Sequence, residues 1–304
     1  MVSIQYVIYG QINKAKWDNC IITADNSLLY SRSFYLDAMA SHWDALVMND
    51  YEMVMPLTWN KKYGIYYLYQ PPFTAHLGVF GKKITADIVN NFLKAIPDKF
   101  KYWDIYFNHA NHFQLKNFQL HERMNYVLPL NEPYETIYKN YRDNIKRNIK
   151  KSFQLNCVVK KNFLVDNVVS IAKEQLKNIT TVSNEDFDRF KKLYTLLNKQ
   201  GKAITYGVYA SSNELVASGV FFMDDKRAYY ILVGNHPNGK TLGASHALID
   251  AFIKDYAGQN LLLDFEGSDI RNLAFFYSSF GAKEEKYVGI KMNRLPKLLK
   301  LIKK

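Results

Sequence analysis

"YYILVGNHPNGKT", residues 229–241, decides how the second half of the chain is read. Gly234, four residues, Gly239, Lys240 and Thr241 match the phosphate-loop spacing G-x-x-x-x-G-K-[ST] letter for letter. That loop normally opens a parallel, doubly wound domain with several strand–helix units after it. Here roughly 60 residues remain after Thr241. The strand before the loop also closes a three-strand meander with short turns, which makes it antiparallel to its neighbour. Only "LLLDFE", 261–266, resembles an acidic strand of the kind that holds Mg²⁺. The context therefore argues against a nucleotide hydrolase.

Working outward, three strands are predicted at 203–210, 214–223 and 227–234. A helix follows at 242–258, ended by Gly258, then a strand at 261–267, a short helix at 270–281 and a last strand at 286–292. Ahead of them Ser183 and Asp186 form a capping-box start for a helix through Phe187, Phe190, Tyr194 and Leu197. The first half has the same order. A helix is predicted over 33–43, strands over 44–48, 51–58 and 64–69, a helix with Ile88, Phe92 and Ile96 on one face, and a strand at 102–108. Helix 85 maps to helix 242 and strand 103 to strand 262, an offset of about 157 to 159. The order of elements repeats although the letters do not. Either the chain holds two copies of one unit, or this is chance in a mixed α/β sequence.

The chain carries 40 basic and 28 acidic residues, a net charge of +12. That favours an anionic partner, such as CoA, a nucleotide, RNA or a membrane surface, unless the excess lysine only solubilises the chain. Two cysteines, Cys20 and Cys157, allow at most one bridge, and no C-x-x-C occurs. No apolar run reaches the ~18 residues of a membrane span, and the start lacks a signal-peptide pattern. A cytoplasmic setting is the resulting expectation. His109 and His112 have no third ligand nearby, so no metal site is expected. Between the halves, Arg142, Lys146 and Lys150 recur every four residues, as do Asp143, Arg147 and Lys151. This is a helix with a basic flank, either a phosphate-holding surface or a solvated linker. At the C-terminus Leu295, Leu298, Leu299 and Ile302 form a stripe backed by lysines. It is suited to peripheral contact with an anionic membrane or to packing on its own domain.

The order meander, loop, helix, strand, helix, strand resembles the GCN5-related N-acetyltransferase (GNAT) family. The cofactor-loop pattern of that family, [Q/R]-x-x-G-x-[G/A], falls on Lys240, Thr241, Leu242, Gly243, Ala244 and Ser245. Lys replaces Gln/Arg and Ser replaces the last small residue. The family's Tyr-x-x-x-Gly-Phe falls on Tyr277, Gly281 and Ala282, with Ala in the Phe place. The family's Asn and Ala before that Tyr are Ile270 and Leu273 here, with Asn272 and Ala274 close by. With the first meander and "QPPFTAHLGVFG", 70–81, the chain from about 30 to 290 also looks like the FemAB-like transferases. Those carry two such domains in tandem and use aminoacyl-tRNA.

The resemblance implies an α/β (α+β) fold of two GNAT-like domains, 1–130 and 131–304, each a mixed, mainly antiparallel sheet flanked by helices. It implies N-acyl transfer from acetyl-CoA or another acyl-CoA to a small-molecule or peptide-like amine. The alternatives are tRNA-dependent aminoacyl transfer to a cell-wall-type precursor, and a non-catalytic binding protein of the same fold. Free amides at a helix N-terminus attract a pyrophosphate. Gly243 and Ala244 leave room there, and Lys240 adds a charge. The strand end at Val233 and Gly234 is the expected amide donor to an oxyanion. Tyr277 is the acid by resemblance, or else a core aromatic beside Phe275 and Phe276. Glu266 is the expected base, or a loop-capping carboxylate. Leu262, Asp264 and Glu266 fall on one strand face, which would pair the two carboxylates.

Overall fold

In the computed structural model, which describes residues 3–177, 182–267 and 269–295, the first meander forms where the apolar runs predict it. Strands β1 (Ile4–Val7), β2 (His42–Met48), β3 (Met53–Lys62) and β4 (Ile65–Tyr69) pair antiparallel in that order. Helices α1 (Lys14–Thr23) and α2 (Ser33–Met39) lie between β1 and β2 in the chain. The helix expected to reach residue 43 stops at Met39, because Trp43, Ala45 and Val47 are drawn into the ladder opposite Thr58, Pro56 and Val54. The turn between β3 and β4 uses Tyr63 (φ 51°) and Gly64 (φ 79°), two left-handed residues that match the twist of the flanking strands. Helix α3 (Ala86–Lys94) then crosses over to β5 (Phe100–Phe107), which runs parallel to β4. The Thr85 hydroxyl caps α3 by accepting from the Ile88 amide. Its buried face is Val89, Phe92 and Leu93, with Ile96 just beyond, while the expected Ile88 is half-buried.

The second half starts with β6 (Leu120–Pro129), α4 (Tyr134–Lys139), α5 (Asp143–Gln154), β7 (Val158–Lys161), α6 (Val165–Leu176) and α7 (Asn184–Lys199). The predicted capping box of Ser183 and Asp186 is present at the start of α7. The meander follows as β8 (Ala203–Tyr209), β9 (Leu215–Met223) and β10 (Arg227–Asn235). Next come α8 (Pro237–Thr241), α9 (Ala244–Tyr256), β11 (Leu262–Asp264), α10 (Arg271–Ser278) and β12 (Lys283–Asn293). β10 is antiparallel to β9 and parallel to β11. The phosphate-loop letters therefore lie on a meander and a one-turn helix, and among the described residues no doubly wound sheet follows them.

The chain divides into two compact units, one up to Arg123 together with the segment from Lys286, the other Met124–Glu285. In the first, the strand order is β1-β2-β3-β4-β5-β12, and β12 pairs antiparallel with β5 from Val288↔Phe107 to Asn293↔Tyr102. In the second, the order is β7-β8-β9-β10-β11-β6, and β6 pairs antiparallel with β11. The two sheets thus share one pattern: three antiparallel pairings, one parallel, one antiparallel. The parallel pair is connected through α3 in the first and through α8 and α9 in the second. This is the mixed, mainly antiparallel α/β architecture that the element order predicts.

Strand alternation gives the second sheet two covered faces. Phe221 stacks on Phe252 of α9, with centroids 3.8 Å apart and planes 9° apart. Its neighbour Phe222 stacks on Phe190 of α7 at 5.2 Å. Among the described residues no helix is long and apolar enough to cross a membrane. Leu298, Leu299 and Ile302 of the C-terminal stripe lie outside the described residues.

Candidate active site

The parallel pair β10–β11 is short. Arg227, Ala228 and Tyr229 oppose Leu262, Leu263 and Asp264, and β10 then runs on to Asn235 without β11 beside it. Its register against β9 shifts between Tyr230 and Leu232, a bulge that bends the strand where the pair ends.

Two sequence-predicted residues interact electrostatically near this end. Tyr277, on α10, is 7% exposed, and its ring stacks on Phe265 at 4.6 Å. Its hydroxyl makes no hydrogen bond among the described residues. Burial, and then the charge of Glu266, raise its phenol above the ordinary value of 10.0. The buried Tyr230 is raised in the same sense, by burial and then by Tyr277. Glu266 lies just past β11 with φ 67°, followed by Gly267 at φ 80°. Two consecutive left-handed residues, the first not glycine, mark a conformation that the surroundings must hold.

The expected pairing of Asp264 and Glu266 on one face does not occur. β11 ends at Asp264, and the left-handed backbone at Glu266 breaks the strand alternation. Asp264 is fully buried. It accepts from Arg227 Nη1 at 2.5 Å, Asn125 Nδ2 at 3.0 Å and the Glu266 amide at 2.8 Å. Arg227 also donates to Glu285 from both terminal guanidinium nitrogens, Nη1 at 3.0 Å and Nη2 at 2.8 Å.

The residues expected to cradle a pyrophosphate are arranged differently. Gly234 is buried, and a Cβ there would meet the backbone of α6 at Ala172 and Val168, each at 3.0 Å. Gly243, with φ 67°, caps α9, and a Cβ there would lie 2.4 Å from the Asn148 carbonyl oxygen on α5. Ala244 is fully buried and Leu242 half-buried. Ser245 donates to Asn235 Oδ1 at 2.8 Å, and the Asn235 amide donates to Gln175 at 2.9 Å. The room at Gly243 is thus filled by the chain's own backbone. Lys240 and Thr241 are exposed on α8, where the Thr241 hydroxyl donates to the Asn238 carbonyl. Val233 is half-buried before the strand end.

Three contributors were not singled out from the sequence. Arg227 and Asn125 are joined to Asp264 across long sequence separations, and no local pattern announces such a contact. His246, in the first turn of α9, packs edge-on against Phe276 with centroids 4.9 Å apart. Burial pushes its pKa down to about 4, so the ring is neutral at pH 7. A single histidine in an amphipathic helix carries no signal for this.

The basic helix is α5, as the four-residue spacing predicts. Ile145 and Ile149 face the core, and Arg142, Arg147, Lys150 and Lys151 are exposed. None of these four forms an ion pair among the described residues.

No family model and no curated protein matches the sequence. Among solved structures the chain is similar to FemX, with a TM-score of 0.65 and 10% identity over 99% of this chain and 100% of that one. It is similar to a conserved protein of unknown function from Bacteroides thetaiotaomicron, with a TM-score of 0.58 and 11% identity over 95% and 99%. It is also similar to a C-terminal domain assigned to lysylphosphatidylglycerol synthetase from Agrobacterium fabrum, with a TM-score of 0.51 and 8% identity over 86% of each chain. At such identities the likeness is one of fold, and the fold of this chain is the GNAT-like, FemX-like one that the order of its elements predicts.

Proposed function

We propose that the second unit is an acyltransferase that joins an activated acyl group to an amine, with Tyr277 as acid and Glu266 as base. The amine nitrogen attacks the acyl carbon, Glu266 takes a proton from that nitrogen, and the Tyr277 phenol gives its proton to the departing atom as the bond to it breaks. The observations that carry this reading are the place of Glu266 just past β11, the place of Tyr277 on α10, and the charge of Glu266 felt at the Tyr277 phenol.

Two further observations favour one donor. The Asn148 carbonyl over Gly243 disfavours a pyrophosphate at the start of α9, and the exposed basic face of α5 suits a polyanion. Together these support an aminoacyl ester on RNA as donor. The second reading is acyl-CoA, for which the exposed Lys240 speaks. The acceptor is an amine on a small molecule or peptide, as the resemblance to FemAB-like transferases implies.

The test is single-turnover transfer to an amine from labelled aminoacyl-tRNA and, separately, from labelled acetyl-CoA. Amide formed from the tRNA donor, and abolished by Tyr277→Phe, is the expected result. Transfer from acetyl-CoA alone favours the second reading, and transfer from neither leaves a binding protein of this fold.

A further inference from the structure

We infer that Asp264, held by Arg227 and Asn125, is a positioning residue that fixes the backbone of Glu266, an inference that rests on the functional reading above. The geometry is a chain of hydrogen bonds. The Arg227 guanidinium donates to Asp264 Oδ2 at 2.5 Å. The Asn125 amide donates to Asp264 Oδ1 at 3.0 Å. The same Oδ1 accepts the Glu266 N–H at 2.8 Å. Glu266 stands at φ 67° only while its peptide keeps that orientation. A non-glycine residue resists this region, so the hydrogen bond to the carboxylate two residues earlier offsets the strain. It is charge-assisted and therefore strong.

The clamp is rigid because nothing in it is loosely held. Arg227, Asp264 and Asn125 are all buried, at 7%, 0% and 1% exposure. Arg227 and Asp264 stand at the ends of adjacent paired strands, and Glu285 occupies the rest of the guanidinium at 2.8 and 3.0 Å. Without the Asp264 carboxylate, the 266 peptide is free to return to a right-handed or extended conformation. Either re-aims the Glu266 side chain. Small misplacements of a catalytic group cost large factors in rate.

The test is a kinetic cycle with a structural readout. Asp264→Asn retains an acceptor oxygen for the Glu266 amide, whereas Asp264→Ala does not. Arg227 keeps its hydrogen bonds to Glu285 in both, and thermal melts check that both fold. In the full-length protein, Asp264→Ala is expected to lower kcat for amide formation by about tenfold or more, with KM within about twofold. Asp264→Asn should recover most of that loss. In a Glu266→Gln background, Asp264→Ala should add less than about twofold, because the two residues act as one unit. Equal losses in both backgrounds overturn the inference. Hydrogen exchange of the Glu266 amide supplies the second readout. Protection is expected in the wild type and in Asp264→Asn, and loss of protection in Asp264→Ala. Unchanged protection in Asp264→Ala overturns the inference even when activity falls. Should the wild type transfer from neither donor, the functional reading fails, and amide exchange alone decides whether Asp264 fixes Glu266.

Discussion

The Asn148 carbonyl oxygen lies 2.4 Å from where a Cβ on Gly243 would be, so α5 rests on the cap of α9 only because residue 243 has no side chain. The same residue has φ 67°, which L side chains resist. Gly243→Ala therefore meets two penalties at once, backbone strain and a clash with main chain that cannot rotate away. The expected loss is about 2–4 kcal/mol, read from urea unfolding as a lower midpoint. A variant within about 0.5 kcal/mol of the wild type, the range of an ordinary surface change, would mean that α5 does not sit on this glycine.

Much of the fold was legible because its signals are local. Ser183 and Asp186 announce a helix start within four residues, and the apolar runs 203–210, 214–223 and 227–234 are separated by short turns. What escaped depends on distant partners. β6 and β7 take their places through pairing with β11 and β8, far along the chain. α6 buries Val165, Val168, Val169 and Ala172, but its start at Leu164 has no side-chain cap to mark it. In the site, the order of elements placed Tyr277 on the helix after β11 and Glu266 at the end of that strand; the structure puts Tyr277 on α10 and Glu266 just past β11. The supposed partnership of Asp264 and Glu266 failed because period-2 alternation holds only while the strand lasts, and it ends at Asp264. Gly243 and Ala244 were read as leaving room for a pyrophosphate, but at Gly243 that room is taken by Asn148.

Tyr277→Phe separates the chemistry of the hydroxyl from the packing of the ring. The ring still stacks on Phe265, and the deleted hydroxyl makes no hydrogen bond among the described residues. Stability should therefore change by less than about 1 kcal/mol. Transfer from an ester donor should fall by roughly 10²–10⁴, the usual worth of a positioned acid. With a thioester donor the loss should be smaller, since a thiolate needs less help in leaving. Rapid-quench single turnovers with both donors make the comparison. Equal losses would count against Tyr277 as the proton source.

The exposed cations of α5 make a separate prediction about RNA. Arg147, Lys150 and Lys151 are solvent-facing and free of ion pairs among the described residues, so replacing them with Gln removes charge without breaking a salt bridge. If all three meet phosphates, the slope of log affinity for tRNA against log salt should become shallower by about 0.9 for each phosphate left unneutralised. Fluorescence anisotropy between low and moderate salt reads this directly. An unchanged slope in the triple variant would place the RNA path elsewhere.

His246 makes stability depend on pH in a definite direction. Its folded pKa, about 4, lies below its ordinary 6.5 because burial beside Phe276 and Phe280 penalises the charged ring. Between those values the unfolded chain binds the proton and the folded one does not. Stability is therefore fully present above about pH 6.5 and is lost as pH falls toward about 4, by up to about 3 kcal/mol. The Asp250 carboxyl, raised by burial, acts in the opposite sense, so the pH dependence of the wild type alone would mix the two. His246→Phe removes the imidazole and keeps an aromatic ring among aromatic neighbours. Unfolding free energies of the two proteins should run parallel above about pH 7 and diverge below it, with the variant losing less. Lines that stay parallel down to about pH 4.5 would mean that His246 accepts its proton inside the folded protein.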